Sequence, residues 1–221
     1  EFILLSDVLG ISMLVDEINH SQNEQQTPST VFGPFFVAGM PTRAYGSSIV
    51  EEGGDQLMPL LVTGKILNHE AEPIVGAEIE VWQTADNGMY SGQDSTQPIA
   101  NLRGKFLSNE QGVYAFKSIL PISYQIPSDG TVGELLNYAK RHFWRPAHIH
   151  FMIKAPGYQR LVTHLFIEGD EHLNGDAVFG VKDRLIVAYQ TLTANGHWTE
   201  FFEPNQSFHL IPYTFVLTKE G

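Results

Sequence analysis

The residues best suited to carry out chemistry lie between Phe143 and Met152, a run that reads FWRPAHIHFM. If this run is a β-strand, side chains two apart share a face, which sets His148 and His150 about 7 Å apart at the backbone and lets both imidazoles converge on one metal ion. Ile149 and Phe151 would then point the other way, into a core. Pro146 cannot donate to a sheet ladder and stiffens the start of the strand, while Arg145 sets a permanent positive charge beside the first histidine. A His-x-His pair alone is weak, because two ordinary half-buried strand histidines have the same spacing. Imidazole suits zinc, copper, iron or nickel, so the remaining ligands decide the metal. The chain has no cysteine, which removes thiolate sites. Glu168, Asp170 and Glu171 follow the next apolar run in the pattern of an exposed turn, which leaves tyrosine.

Two tyrosines stand outside regular core positions. Tyr90 closes the run DNGMY that begins at Asp86, a glycine-containing turn after Trp82 and Gln83, and Tyr124 sits on a loop between Pro121 and Pro127, in PISYQIP. Here the chain resembles the intradiol ring-cleavage dioxygenases. In that family the first tyrosine follows a Trp-Gln strand, the second lies in Pro-x-x-Tyr-x-x-Pro, and the histidines lie in Arg-Pro-Ala-His-x-His. The motifs run in the family's order from Val31 to at least Phe179.

The resemblance implies a mononuclear non-haem centre with one Fe3+ per chain, held by Tyr90, Tyr124, His148 and His150. It also implies cleavage of a catecholic ring by O2 between the two oxygenated carbons. Tyr124 and His150 would be axial, and Tyr90, His148 and hydroxide equatorial. Two tyrosinates and one hydroxide balance Fe3+, and the metal must acidify phenols whose free pKa is about 10. Tyr124 and the hydroxide would take the two substrate protons, and Arg145 would stabilise negative charge on the ring during O2 attack.

Within the family, the run TVFGPFFV from Thr30 to Val37 looks most like the branch that cleaves hydroxyquinol, benzene-1,2,4-triol. The product would be 3-hydroxy-cis,cis-muconate, which tautomerises to maleylacetate. That branch's pocket maps to Asp7, Val31, Phe32, Gly33, Pro34, Phe35, Ile126, Pro127, Arg145 and Val178. Asp7 would accept from the third hydroxyl, although a solvent-facing helix charge explains the same residue. Thr163-His164 stands where catechol-cleaving relatives usually carry Thr-Gln, which puts His164 in the hydrogen bonding around the metal rather than among its ligands. Catechol and chlorocatechol are the alternative substrates. Two other readings compete. Leu60 to Leu67 and Pro73 to Trp82 also resemble transthyretin-like sandwich modules, many of which only bind ligands. A hydrolytic zinc enzyme could use His148 and His150, but no third histidine or carboxylate ligand stands out.

These residues need elements to position them. From Phe2 to Ile18 apolar residues recur at helical spacing, and the polar stretch Asn19 to Ser29, with Pro28 inside it, reads as a linker. Beyond Thr30 short β-branched and aromatic runs bounded by Gly, Pro, Asn and Asp indicate antiparallel strands. They fall at Leu60–Leu67, Ala77–Gln83, Gly112–Ser118, His148–Ala155, Thr163–Ile167, Arg184–Leu192 and Tyr213–Leu217. Thr131 and Glu134 form a capping box for one further helix over 131–141. The expected fold is mainly β: an antiparallel, transthyretin-like (prealbumin-like) β-sandwich catalytic domain over 27–221, preceded by a short helical segment over 1–26. That segment matches the end of the family's helical dimerisation region, so a homodimer and further helix upstream are expected.

Composition narrows the classes. With 221 residues and 43% hydrophobic content the chain can fill a real core. A formal charge of −12 argues against a nucleic-acid partner, which would require clustered Lys and Arg. No apolar run approaches the ~20 residues of a membrane span, and no secretory signal pattern is present. The absence of cysteine fits a soluble cytoplasmic protein. No Gly-x-Gly-x-x-Gly run calls for a dinucleotide.

Overall fold

The β-branched and aromatic runs assemble into two five-stranded sheets and one short ladder, described over residues 1–20, 25–54 and 56–220 of this computed structural model. The strands are β1 (Pro59–Asn68), β2 (Glu78–Trp82), β3 (Arg103–Leu107), β4 (Val113–Ile119), β5 (Tyr124–Gln125), β6 (Trp144–Arg145), β7 (His148–Lys154), β8 (Leu161–Ile167), β9 (Ile186–Val187), β10 (Gln190–Thr193), β11 (Ser207–Pro212) and β12 (Phe215–Leu217). The helices are α1 (Phe2–Val8), α2 (Ile11–His20) and α3 (Thr131–Tyr138). One sheet runs β10-β11-β1-β12 with β4 also paired to β1, the other runs β3-β2-β7-β8-β9, and β5 pairs with β6.

The two sheets cover one apolar core. Ile149, Phe151 and Ile153 of β7 enter it with Phe116 of β4 and Phe215 of β12, and the Phe151 ring lies 6.1 Å from Phe116 and 4.8 Å from Phe215. Each such side chain contributes roughly 1.5–3 kcal/mol by leaving water. Because strand side chains alternate, His148, His150 and Met152 face the other way. On that side Met152 joins a second buried cluster with Trp82, Tyr90, Tyr124, Leu4 and Val8 of α1, and Val132 and Leu136 of α3. One strand therefore anchors the core with one face and presents both histidines on the other.

Several sequence expectations change. The N-terminal helix is two helices, because Gly10 takes φ +74 between them and its turn packs on the Phe179 ring. Residues 21–24 of the expected linker lie outside the described residues. The capping box does not form: Gly130 is the N-cap of α3, and Glu1 accepts from Thr131 Oγ1 and the Val132 amide, each at 2.9 Å. A carboxylate from another element thus takes the orphan helix donor. The expected strand over Arg184–Leu192 is a 3-10 turn followed by β9 and β10, which belong to different sheets, so the chain must leave one sheet between them. Nor are the sheets purely antiparallel, since β1 pairs in parallel with β11 and β12, and β8 with β9. Among the described residues, no helix is long and apolar enough to cross a membrane.

Candidate metal centre and active site

Three backbone segments deliver the four expected ligand residues to one place. β7 carries His148 and His150, which are 2% and 1% exposed. Tyr90 follows the turn after β2, where the Ala85 amide donates to the Met89 carbonyl and Gly88 takes φ +78, a conformation the Asn-Gly pair supplies readily. Tyr124 is not on a free loop: it opens β5, directly opposite Arg145 on β6. Asp170 is not a free turn residue either. Its Oδ2 accepts from Ser123 Oγ and, at 2.9 Å, from the Ala147 amide, which fastens the neighbour of Tyr124 to the neighbour of His148.

The four donor atoms converge. His150 Nε2 lies 2.9 Å from Tyr90 Oη and 3.2 Å from His148 Nε2, while Tyr90 Oη lies 3.4 Å from Tyr124 Oη and 3.5 Å from His148 Nε2. His148 Nδ1 donates to the Pro146 carbonyl at 2.7 Å, so its Nε2 carries a lone pair toward the centre. Trp82 stacks on the His150 ring at 4.6 Å and Phe35 on the Tyr90 ring at 4.6 Å, fixing both planes. Two imidazole nitrogens and two phenol oxygens, with no sulfur, suit a first-row metal of the nitrogen- and oxygen-binding kind.

Electrostatics agree with that fit. Burial holds His148 and His150 well below the ordinary imidazole pKa, with Arg145 acting in the same direction on both and His164 on His150, so both are neutral and able to ligate. Burial, reinforced by Tyr124, pushes the Tyr90 phenol well above its usual range. Only a cation at the centre would make it a tyrosinate near neutral pH. Burial also opposes the charge on Arg145, but Asp176 and the neighbouring phenols outweigh it and the guanidinium stays protonated.

The expected pocket residues are brought together in part. Val31, Ile126 and Val178 are buried in the same cluster as Tyr90 and Tyr124, with Phe35 packed against it. Phe32 packs on Trp82 at 5.8 Å, and Gly33, at φ +73, sits where a Cβ would stand 3.3 Å from His150 Cε1. Asp7 is buried rather than solvent-facing, and its carboxyl senses both Arg145 and Asp176. Pro34 is exposed, and Pro127 is half-buried beside Ile126.

His164 is the residue whose surroundings the sequence leaves most open. Its ring centroid lies 4.1 Å from that of His150 and 4.8 Å from that of His148, its Nδ1 meets Thr30 Oγ1, and its Nε2 has no hydrogen-bond partner among the described residues. The three imidazoles could hold a metal ion between them, with ligand atoms within 4.8 Å of one another, so a third histidine does stand near the pair. Sequence reasoning also passes over Arg103 and Asp176. Arg103 is 1% exposed, donates to Ser91 Oγ at 2.8 Å and lies 5.7 Å over the Tyr90 ring. Asp176 forms a buried ion pair with Arg145 at 3.0 Å.

Comparison with known proteins identifies the family. The family described as "Dioxygenase" matches residues 31–218, and "Catechol dioxygenase N terminus" matches residues 1–27. The chain belongs to the intradiol ring-cleavage dioxygenases. It is 44% identical over 220 residues to a hydroxyquinol 1,2-dioxygenase from a Rhizobium species, covering 99% of this chain and 74% of that protein. The solved structure of hydroxyquinol 1,2-dioxygenase from Pseudomonas putida DLL-E4 is similar with a TM-score of 0.92 at 51% identity, covering 99% of this chain and 76% of that one. Catechol 1,2-dioxygenase from Acinetobacter radioresistens gives a TM-score of 0.91 at 32% identity, covering 100% of this chain and 73% of that one.

Proposed function

We propose that this chain catalyses intradiol cleavage of hydroxyquinol by O2 at a non-haem iron(III) centre held by Tyr90, Tyr124, His148 and His150. The product is 3-hydroxy-cis,cis-muconate, which tautomerises to maleylacetate, and both atoms of O2 enter it. The observation that carries the reading is the convergence of two phenol oxygens and two imidazole nitrogens, each within 3.5 Å of another. Iron(III), when bound, supplies the acidity that ionises the phenols and withdraws electron density from the chelated ring.

The chain's own residues do the rest. Tyr124 accepts a substrate proton at its Oη. Arg145, whose Nη1 lies 3.2 Å from His148 Nε2, places positive charge where the ring becomes electron-rich during O2 attack. Val31, Phe32, Gly33, Pro34, Phe35, Ile126, Pro127 and Val178 form the substrate wall and exclude water, and Asp7 accepts from the third hydroxyl. Identity of 51% to a hydroxyquinol-cleaving structure against 32% to a catechol-cleaving one supports that branch, with catechol as the second reading. The proposal includes a transthyretin-like sandwich over 27–221 and a helical dimerisation segment over 1–26. It also includes a homodimer and a cytoplasmic location.

The test is the visible spectrum of the iron-loaded protein. A broad tyrosinate-to-iron band is expected, shifting with anaerobic hydroxyquinol and collapsing when air is admitted. Tyr124→Phe should lose most of the band and the turnover while remaining folded; a fully active Tyr124→Phe protein would defeat the ligand assignment. His164→Gln separates the three-histidine alternative, since it should keep the band and the iron, whereas loss of iron would make His164 a ligand.

A further inference from the structure

We infer that Asp176 is a positioning residue that holds Arg145 and the Val178 segment as one rigid unit, an inference that rests on the ring-cleavage reading above. Both partners are buried, Asp176 at 5% and Arg145 at 3% exposure. Arg145 Nε donates to Asp176 Oδ1 at 3.0 Å and Nη2 to Oδ2 at 3.3 Å. This two-point grip fixes the plane of the guanidinium, which a single contact would leave free to turn. It also leaves Nη1 as the nitrogen directed at His148, at 3.2 Å.

The same carboxylate organises the segment that follows it. Oδ1 accepts from the Val178 amide at 3.3 Å and Oδ2 from the Gly180 amide at 2.9 Å. One side chain therefore sets both the active-site cation and the backbone that carries a wall residue of the proposed pocket. Gly180 fits this role by its lack of a side chain, since a Cβ there would stand 3.1 Å from Asp176 Oδ2 and 3.2 Å from Arg145 Nη2. Stability alone is a poor reason for the pair, because buried ion pairs can often be replaced by apolar residues without loss. Geometry is a better one, since reacting groups must be held to about 0.5 Å.

The inference is tested with the iron-loaded protein and three variants. Asp176→Asn keeps the shape but puts an amide where four donors need an acceptor. It should lower kcat about 10- to 100-fold, the range for outer groups that orient a site. The resting visible band should stay unchanged, because all four proposed ligands remain. Gly180→Ala crowds the pair without removing a charge and should lower kcat in the same direction with a near-normal melting temperature. Arg145→Met serves as the control, and adding Asp176→Asn to Arg145→Met should cost less in kcat than Asp176→Asn costs alone, because part of what Asp176 does is to hold Arg145. Additive losses in that double variant, or normal kcat in either Asp176→Asn or a folded Gly180→Ala, would overturn the inference; should Asp176→Asn not fold, Gly180→Ala decides alone. Normal turnover by Arg145→Met would instead defeat the role given to Arg145 itself.

Discussion

Asp7 shows how a single residue can set stability against function. It is 3% exposed on α1, and burial raises its carboxyl pKa above 3.8 despite the Ser12 hydroxyl and Arg145 nearby, with Asp176 adding to the rise. Between 3.8 and its folded value the native state binds more protons than the unfolded chain, so stability falls as pH rises through that window and the deficit persists above it. Asp7→Asn should therefore raise the melting temperature at pH 7 and change it little below pH 3.8. In the proposed reaction the same variant should raise KM for hydroxyquinol more than for catechol. Thermal melts at the two pH values and the two KM ratios check both halves, and an equal gain at low pH would remove the burial argument. At this scale strand alternation sets His148 and His150 on one face, but local pattern alone does not make them ligands, and it is the family resemblance that singles out Tyr90 and Tyr124 in their turn and proline settings. Asp176 is not legible in the sequence, because a carboxylate far along the chain from Arg145 leaves no local pattern. Arg103 is not either, since nothing in its neighbours says that a guanidinium will be buried over Tyr90.

Elements with local signals were readable and elements made by distant pairing were not. β1, β2, β4, β7 and β8 follow from apolar runs. β3 is interrupted by Arg103, Gly104 and Lys105 and is a strand only because it pairs with β2. β11 is held between β10 and the first half of β1, and the β1 partner then changes from β11 to β12. The change falls at Gly64, where a Cβ would stand 1.7 Å from the Tyr213 carbonyl oxygen. Read locally, that glycine is a weak spot in a strand; in the fold it is the place where another backbone crosses. Because the obstruction is backbone rather than a movable side chain, Gly64→Ala should destabilise the protein by about 3 kcal/mol or more. Urea unfolding gives the number, and a loss within about 0.5 kcal/mol, typical of an indifferent surface substitution, would show that the strands can separate there.

At the scale of the whole molecule, α1 buries Leu4 and Val8, whereas α2 faces the opposite way from what a simple amphipathic reading supposes. Of α2 only Met13 is buried, whereas Leu14 is 60% and Ile18 66% exposed, and Phe2 of α1 is 90% exposed. The acidic side of α2 is the one docked: Lys182 reaches Asp16 and Glu17, each at 3.2 Å, and Ser29 donates to Asp16 at 2.9 Å. Those contacts turn the apolar side outward, where exposed patches of this kind mark association surfaces. In the proposed homodimer this side is covered by the partner copy, so Leu14→Glu with Ile18→Glu should convert a dimer to a monomer in light-scattering measurements while leaving the visible band intact. Salt discriminates further. Each chain carries a formal charge of −12, so like-charged copies repel, and raising ionic strength should tighten a dimer held by apolar faces. A dimer that weakens with salt would be held by ion pairs instead, and wild-type protein that stays monomeric at micromolar concentration would leave these helices without the role proposed for them.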